Sequence, residues 1–313
     1  MISVEEALIK INKKYDNENH YFCQPEEWQN EIKSGIKFEV HKYGHKLVDH
    51  HMPYKQGQLT VFVGNTNVGK TYTVLYLLSK MIDRKKLIIY SAENRISTLA
   101  RYLIQFFWGT NDHQTILSKM DWLADRVEFI RHEKRFNHIE ILTQFVKGEH
   151  RGFKADMMFI DPYNALSISG GHEGHYDAIE DLRIFTQQTG KSIFLNCHTV
   201  SESQRQKLDS YGASPVPMMS DVEGGVKFPN KADDVVVVHR NLYHKDHDER
   251  YVTLLYIGKI RNKEGGGEPT GFDSPIRMKF KKDWTGFTND EDTIAKHYPD
   301  MPDWVFLRDG TYK

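Results

Sequence analysis

Residues 59–71 read LTVFVGNTNVGKT, an apolar run of strand length closed by Gly64, Asn65, Thr66, Asn67, Val68, Gly69, Lys70 and Thr71. The octet fits GxxxxGK[ST] in full, and its flanks fit too: a strand before it and the helical stretch TYTVLYLLSKMI (71–82) after it. That context gives the motif its meaning. Glycines let the backbone wrap round a phosphate, while successive N–H groups and the helix N-terminus point at the anion. Lys70 has the reach for the β- and γ-phosphates, and the Thr71 hydroxyl suits Mg²⁺. A nucleoside triphosphate, ATP or another NTP, is therefore expected along Gly64–Thr71 and the adjoining Tyr72.

Outward from this motif, apolar runs of strand length alternate with helical stretches. KLIIYSA (86–92), RVEFI (126–130), MMFID (157–161) and SIFLNC (192–197) are separated by ISTLARYLIQFF (96–107), HIEILTQFVKG (138–148) and YDAIEDLRIFTQQTG (176–190). Strands apolar on both faces that alternate with helices predict an α/β fold with a mostly parallel central sheet covered on both sides. ADDVVVVHR (232–240), YVTLLYIGKIR (251–261) and IRMKFKK (276–282) follow with connections too short for a helix, so the sheet is expected to end in antiparallel strands.

The 313 residues accommodate one large domain, expected over 51–290, with a helical N-terminal appendage over 1–50 and a tail over 291–313. In the appendage, Val4, Ala7, Leu8 and Ile11 share one helical face, and PEEWQNEIKSG reads as a second short helix. A net charge of −1 gives no global basic field, so a nucleic-acid partner would have to be held by local patches. Two cysteines, Cys23 and Cys197, exclude a disulfide framework and a four-cysteine zinc site. No signal peptide and no run of membrane-spanning length is present, so a reducing, cytoplasmic setting without membrane contact is expected.

Four chemical groups fall at the ends of different strands. Lys70 follows the first; Asp161 ends MMFID as an acid placed to help hold Mg²⁺. Glu93 follows KLIIYSA, where a carboxylate either polarises an attacking water or serves as an ordinary helix-start acid. His198 follows SIFLNC, either contacting the γ-phosphate or sitting as a core histidine. Open parallel sheets bind ligands at the carboxyl ends of their strands, which favours the catalytic reading for the set. Near the end of the chain, Lys259 and Arg261 stand two residues apart at a strand end, so both cations fall on one face, before the turn GGGEP (265–269). Their tips are expected to project, either as an arginine finger acting on a neighbouring copy requires or as an ordinary solvated basic strand end.

The order of these segments resembles the RecA-like ATPase domain of replicative ring helicases: the DnaB family, the phage primase-helicases and Twinkle. KQGQLTVFVGNTNVGKT, LIIYSAENRISTLARYL, MMFIDPYNAL, CHTVSE, ADDVVVVHRN and IGKIRNKEGG carry the resemblance over about residues 50 to 290. It implies a RecA-like fold in which Glu93 is the catalytic glutamate, His198 the phosphate sensor, and Lys259 and Arg261 the trans-acting cations. It also implies Arg240 and Phe280 against the nucleotide base. The expected activity is ATP hydrolysis driving a ring, usually of six subunits, along single-stranded DNA in replication. The DNA-binding loops correspond to 200–234, with Lys207, Lys227 and Lys231 as phosphate contacts. A separate primase or other replication proteins are the implied partners. A RecA-fold recombinase or helicase-loading ATPase that binds DNA without unwinding it is the alternative, and the long 200–220 loop and the GGGEP turn depart from the family pattern.

Overall fold

The computed structural model describes residues 1–12, 25–33, 39–200, 215–222, 225 and 227–288. Among them, a nine-stranded sheet forms the centre of the molecule. In chain order its strands are preceded by α1 (Val4–Asn12), α2 (Pro25–Lys33) and α3 (Lys46–His51), and by the two-stranded pair β1 (Val40–His41) and β2 (Tyr54–Lys55). The sheet itself comprises β3 (Leu59–Gly64), β4 (Leu87–Ser91), β5 (Val127–Ile130), β6 (Met157–Asp161), β7 (Ser192–His198), β8 (Asp234–His239), β9 (Val252–Ile260), β10 (Ile276–Phe280) and β11 (Phe287–Thr288).

Their spatial order is β11-β10-β9-β8-β3-β7-β6-β4-β5. From β8 to β5 every neighbouring pair is parallel, whereas β8–β9, β9–β10 and β10–β11 are antiparallel. The expected class is thus the observed one. The reason is the connections: helices return the chain between parallel strands, whereas the links between β8, β9 and β10 carry no α-helix to make such a crossover.

Period-two alternation splits the core. On β3, Leu59, Val61 and Val63 pack with α1, α8 (His138–His150) and α9 (Gly171–Thr189). Phe62 points the other way, into the cluster built by α4 (Lys70–Ser79), α5 (Ile96–Trp108), α6 (His113–Ser118) and α7 (Met120–Ala124). Every residue of β3 is buried, as a central strand with both faces covered requires. Val4, Ala7, Leu8 and Ile11 of α1 are buried on the α8–α9 face, so this helix docks on the sheet's own layer. Cys197 is a buried core residue.

α8 shows why such helices begin where they do. Asn137 accepts from the Glu140 amide at 2.8 Å, and the Glu140 carboxylate accepts from the Asn137 amide at 2.9 Å. This reciprocal capping box satisfies two amides that would otherwise lack partners.

Candidate active site at the carboxyl edge of the sheet

The turn between β3 and α4 is shaped by backbone demands at two glycines. A Cβ on Gly64 would lie 2.4 Å from the Val238 carbonyl oxygen of β8, so only glycine fits where the two strands close up. Gly69 has φ +93 and immediately precedes the helix, in a conformation that L side chains rarely adopt. Between them Asn67 also has φ +66, a left-handed conformation that asparagine tolerates better than most residues.

The octet divides in two. Thr66, Asn67, Gly69, Lys70 and Thr71 line a cleft of about 460 Å³, whereas Asn65 and Val68 turn inward. The Asn65 side-chain oxygen accepts from the Thr199 hydroxyl at 2.6 Å, and Val68 packs in the core. These two residues hold the turn rather than face the cleft.

Lys70 Nζ donates to the carbonyls of Gly64 and Asn65, at 2.8 Å each. Burial pushes its pKa down to about 8, with the nearby Asp161 charge opposing the shift. Thr71 Oγ1 donates to Asp161 Oδ1 at 2.9 Å. Asp161 also accepts from Asn196 at 2.6 Å, Asn94 at 3.0 Å and Ser91 at 3.1 Å. Burial raises its pKa, and the bonds from Asn196, Thr71 and Ser91 oppose the rise. A hydroxyl and a fully hydrogen-bonded carboxylate side by side are a hard-oxygen pair of the kind Mg²⁺ takes.

His198 joins the remaining two groups. Its Nδ1 lies 3.3 Å from Lys70 Nζ and its Nε2 3.0 Å from Glu93 Oε1. An ammonium only donates, so Nδ1 is the acceptor and Nε2–H donates to the carboxylate. The imidazole is therefore held in one orientation between the Lys70 amine and the Glu93 carboxylate. Lys70, Thr71, Glu93, Asp161 and His198 all line the same cleft. Four strands bring them there, because β4, β6, β7 and β3 run parallel and end at one edge.

The far wall of the cleft is aromatic. Tyr72 lies with its ring centroid 4.3 Å from that of Phe280, and Phe280 meets Trp284 edge-on at 4.9 Å. Arg240 borders the same space and donates to the Arg250 carbonyl at 2.6 Å. Tyr72, Arg240 and Phe280 are thus brought together. Trp284, Tyr102, Asn94 and Thr253 line the cleft as well, and Ser91 and Asn196 sit behind it, none of them singled out by the sequence. Asn196 had a usable signal, a polar residue inside an otherwise apolar strand. Trp284 had none, since its place depends on a turn between β10 and β11.

Lys259 and Arg261 lie elsewhere. Ile260 pairs with Asp234, and Asp234 pairs with Thr60 near the start of β3, so the two cations stand at the opposite edge of the sheet from the cleft. The length of β3, on the order of 16 Å, separates them from it. Both side chains do reach the same Asn230 carbonyl. The expectation of freely projecting tips is corrected for Lys259, whose Nζ donates to the carbonyls of Pro229, Asn230 and Ala232 at 2.9, 2.9 and 2.6 Å. These carbonyls terminate α10 (Lys227–Lys231), and a helix C-terminus attracts a cation. Burial, followed by repulsion from Arg261, lowers the Lys259 pKa to about 8. Arg261 is exposed; it donates to the Asn230 carbonyl at 2.7 Å and lies 3.5 Å from Asp233.

Of the DNA-contact candidates, Lys207 and the Lys227 side chain lie outside the described residues. Lys231 is ion-paired with Glu180 and lies over the Tyr176 ring at 4.6 Å, so its charge is already engaged within the chain.

No protein-family model matches the chain. In sequence it is 26% identical over 253 residues to the Twinkle homolog protein, chloroplastic/mitochondrial, of Arabidopsis thaliana; the match covers 72% of this chain and 34% of that protein, so the chain spans about a third of its relative's length. In structure it is similar to a solved ATPase domain, with a TM-score of 0.65 at 15% identity, covering 92% of this chain and 99% of the other. It is also similar to a DnaB-like replicative helicase whose structure was described with its interactions with primase, at a TM-score of 0.64 and 14% identity, covering 91% and 71%. The fold is the RecA-like ATPase fold of the DnaB-like helicases. No described helix is long and apolar enough to cross a membrane.

Proposed function

We propose that this RecA-like chain is the ATP-hydrolysing motor of a ring-forming replicative helicase that moves on single-stranded DNA. One observation carries the reading: the chain divides its candidate catalytic groups between two opposite edges of a single sheet. The phosphate-binding turn, Glu93, Asp161 and His198 share the carboxyl edge, while Lys259 and Arg261 stand at the other. A finger so far from its own cleft serves a nucleotide only in a second copy, and repetition of that contact closes a ring. The DnaB-like replicative helicase, named for that role, supports the same reading, as does the similarity to the Twinkle homolog.

In this mechanism the amides of Thr66 to Thr71 cradle the β- and γ-phosphates, and Lys70 leaves its backbone carbonyls for the phosphate oxygens. Thr71 and Asp161 hold Mg²⁺, which neutralises charge developing on the phosphates. Glu93 orients the attacking water, held in place by the Nε2–H of His198. Because the other face of that imidazole touches Lys70, His198 feels the γ-phosphate leave and passes the change to the 199–226 segment that follows β7. Tyr72, Phe280 and Trp284 offer ring faces to the base, and Arg240 a cation beside it. Arg261 of the next copy stabilises the transition-state charge, and Lys259 joins it only by leaving the carbonyls of Pro229, Asn230 and Ala232. The DNA contacts belong to the 200–234 region, and priming belongs to a separate primase.

The test is the ATPase rate with and without single-stranded DNA, measured alongside assembly mass and strand displacement on a forked duplex. DNA-stimulated hydrolysis by a closed ring that opens the fork is the expected result. Hydrolysis that leaves the fork intact would assign the chain to the loaders and filament formers. A monomer with DNA-independent hydrolysis would overturn the split-site mechanism itself.

A further inference from the structure

Two adjacent histidines end α3, a helix that plays no part in the nucleotide cleft. Consecutive helical residues point roughly 100° apart, yet the helix stops at His51, and the rings of His50 and His51 meet edge-on at 4.8 Å between centroids. The turn after Arg261 is brought directly onto them. The Glu268 amide donates to the His51 carbonyl at 2.9 Å, and His51 Nδ1 lies 3.0 Å from the Glu268 carbonyl oxygen.

That approach dictates one glycine of the turn. Gly267 has φ +91, and a Cβ there would lie 2.6 Å from the His51 carbonyl oxygen and 3.2 Å from Pro53. Pro269 restricts Glu268 to extended backbone. The turn that departs from the family pattern therefore brings the Glu268 carboxylate to His50 and the Glu268 backbone carbonyl to His51. His50 Nε2 lies 3.1 Å from Glu268 Oε1, and one ligand atom from each of the three residues falls within 4.8 Å of the others.

We infer that His50, His51 and Glu268 form a binding site for a divalent transition-metal ion of the zinc class. Ligands at about 2.0–2.2 Å around a tetrahedral ion lie roughly 3.4 Å from one another, close to the separation already present between His50 and Glu268. Two imidazoles and one carboxylate suit zinc, and also nickel or copper, far better than magnesium or calcium. His51 is buried and Glu268 exposed, so an ion enters from the Glu268 side and keeps a water as its fourth ligand. Bound there, it clips the connection that follows Lys259 and Arg261 to α3, across 217 residues of sequence. The site shares no residue with the nucleotide cleft and stands independently of the helicase reading.

The experiment is a Co²⁺ titration of the full, nucleotide-free chain, followed by visible absorption and by displacement with Zn²⁺. One equivalent should bind with the d–d bands of a four-coordinate nitrogen–oxygen site, and Zn²⁺ should displace it. His50→Ala and Glu268→Gln, both made at partly or wholly exposed side chains that leave the fold intact, should each weaken binding by more than about tenfold. His244→Ala, at a histidine outside the cluster, should leave it unchanged. Absence of stoichiometric Co²⁺ binding, retention of it by either ligand variant, or an equal loss in His244→Ala would each overturn the assignment. ATPase activity enters none of these readouts, so the two proposals fail separately.

Discussion

His198 Nε2 lies 3.0 Å from Glu93 Oε1, a bond across 105 residues of sequence that joins the ends of β7 and β4. It gives the carboxylate a fixed orientation beside the cleft and ties it, through the imidazole, to Lys70. Several outcomes depend on this arrangement.

Glu93→Gln keeps the size of the side chain and removes its ability to orient and polarise water. Hydrolysis should fall about 10²–10⁴-fold while nucleotide affinity stays within a small factor, as read by single-turnover rates and a separate binding titration. A variant as fast as the parent would transfer the water-orienting role to another group. His198→Ala should lower the hydrolysis rate as well, and should also loosen the coupling between nucleotide state and DNA affinity.

Burial holds the Lys70 ammonium at a pKa of about 8 in the nucleotide-free protein. A bound triphosphate favours the charged form, so the pKa in the complex lies higher. Below pH 8 the lysine is charged in both states and affinity is flat. As pH rises through 8, the free protein loses a proton that binding must restore, and affinity should fall by up to about tenfold per pH unit. Calorimetry at pH 8.5–9 in buffers of differing ionisation enthalpy should report proton uptake on binding; release or no exchange would count against the assignment.

Lys70→Ala and Arg261→Ala should each abolish most hydrolysis, the second by about 10³–10⁵-fold if the finger acts as arginine fingers do elsewhere. Mixed together and reassembled, the two inactive chains should regain activity, because an intact turn in one copy then meets an intact finger in the next. Failure to recover any activity in assemblies shown by mass to contain both chains would mean that the finger does not act across an interface.

Gly64→Ala tests a separate cause for the motif's first glycine. The added methyl would lie 2.4 Å from the Val238 carbonyl, a backbone atom that cannot rotate away. The expected cost is about 1–3 kcal/mol of folding stability, seen as a lower melting temperature without nucleotide. An unchanged melting temperature would show that β3 and β8 separate readily.

Trp284 is half-exposed at the rim of the cleft, with its ring 4.9 Å from Phe280. Trp284→Ala should weaken nucleotide binding by about 1–3 kcal/mol, to a similar extent for adenine and guanine nucleotides, since stacking on a ring face is tolerant of base identity. A loss confined to one base would point instead to a hydrogen-bonding contact.

Residue order alone was enough for the fold class and for every strand of the sheet except the two-residue β11. Each buried strand is a continuous apolar run, and an apolar run between turns is a local property. The turn proposed to bind phosphate was legible for the same reason: Gly64, Gly69, Lys70 and Thr71 stand at fixed spacing within one loop. Glu93, Asp161 and His198 could be suspected because a parallel sheet collects its strand ends at one edge. Only the folded chain decided what each of them touches. It placed His198 between Lys70 and Glu93, surrounded Asp161 with Ser91, Asn94 and Asn196, and turned Asn65 and Val68 away from the cleft. It also set Lys259 on the carbonyls of α10 and brought Glu268 to the histidine pair of α3. Those contacts join residues far apart in the chain, and no local spacing encodes them. They follow from strand order and from which backbones can approach closely enough to meet.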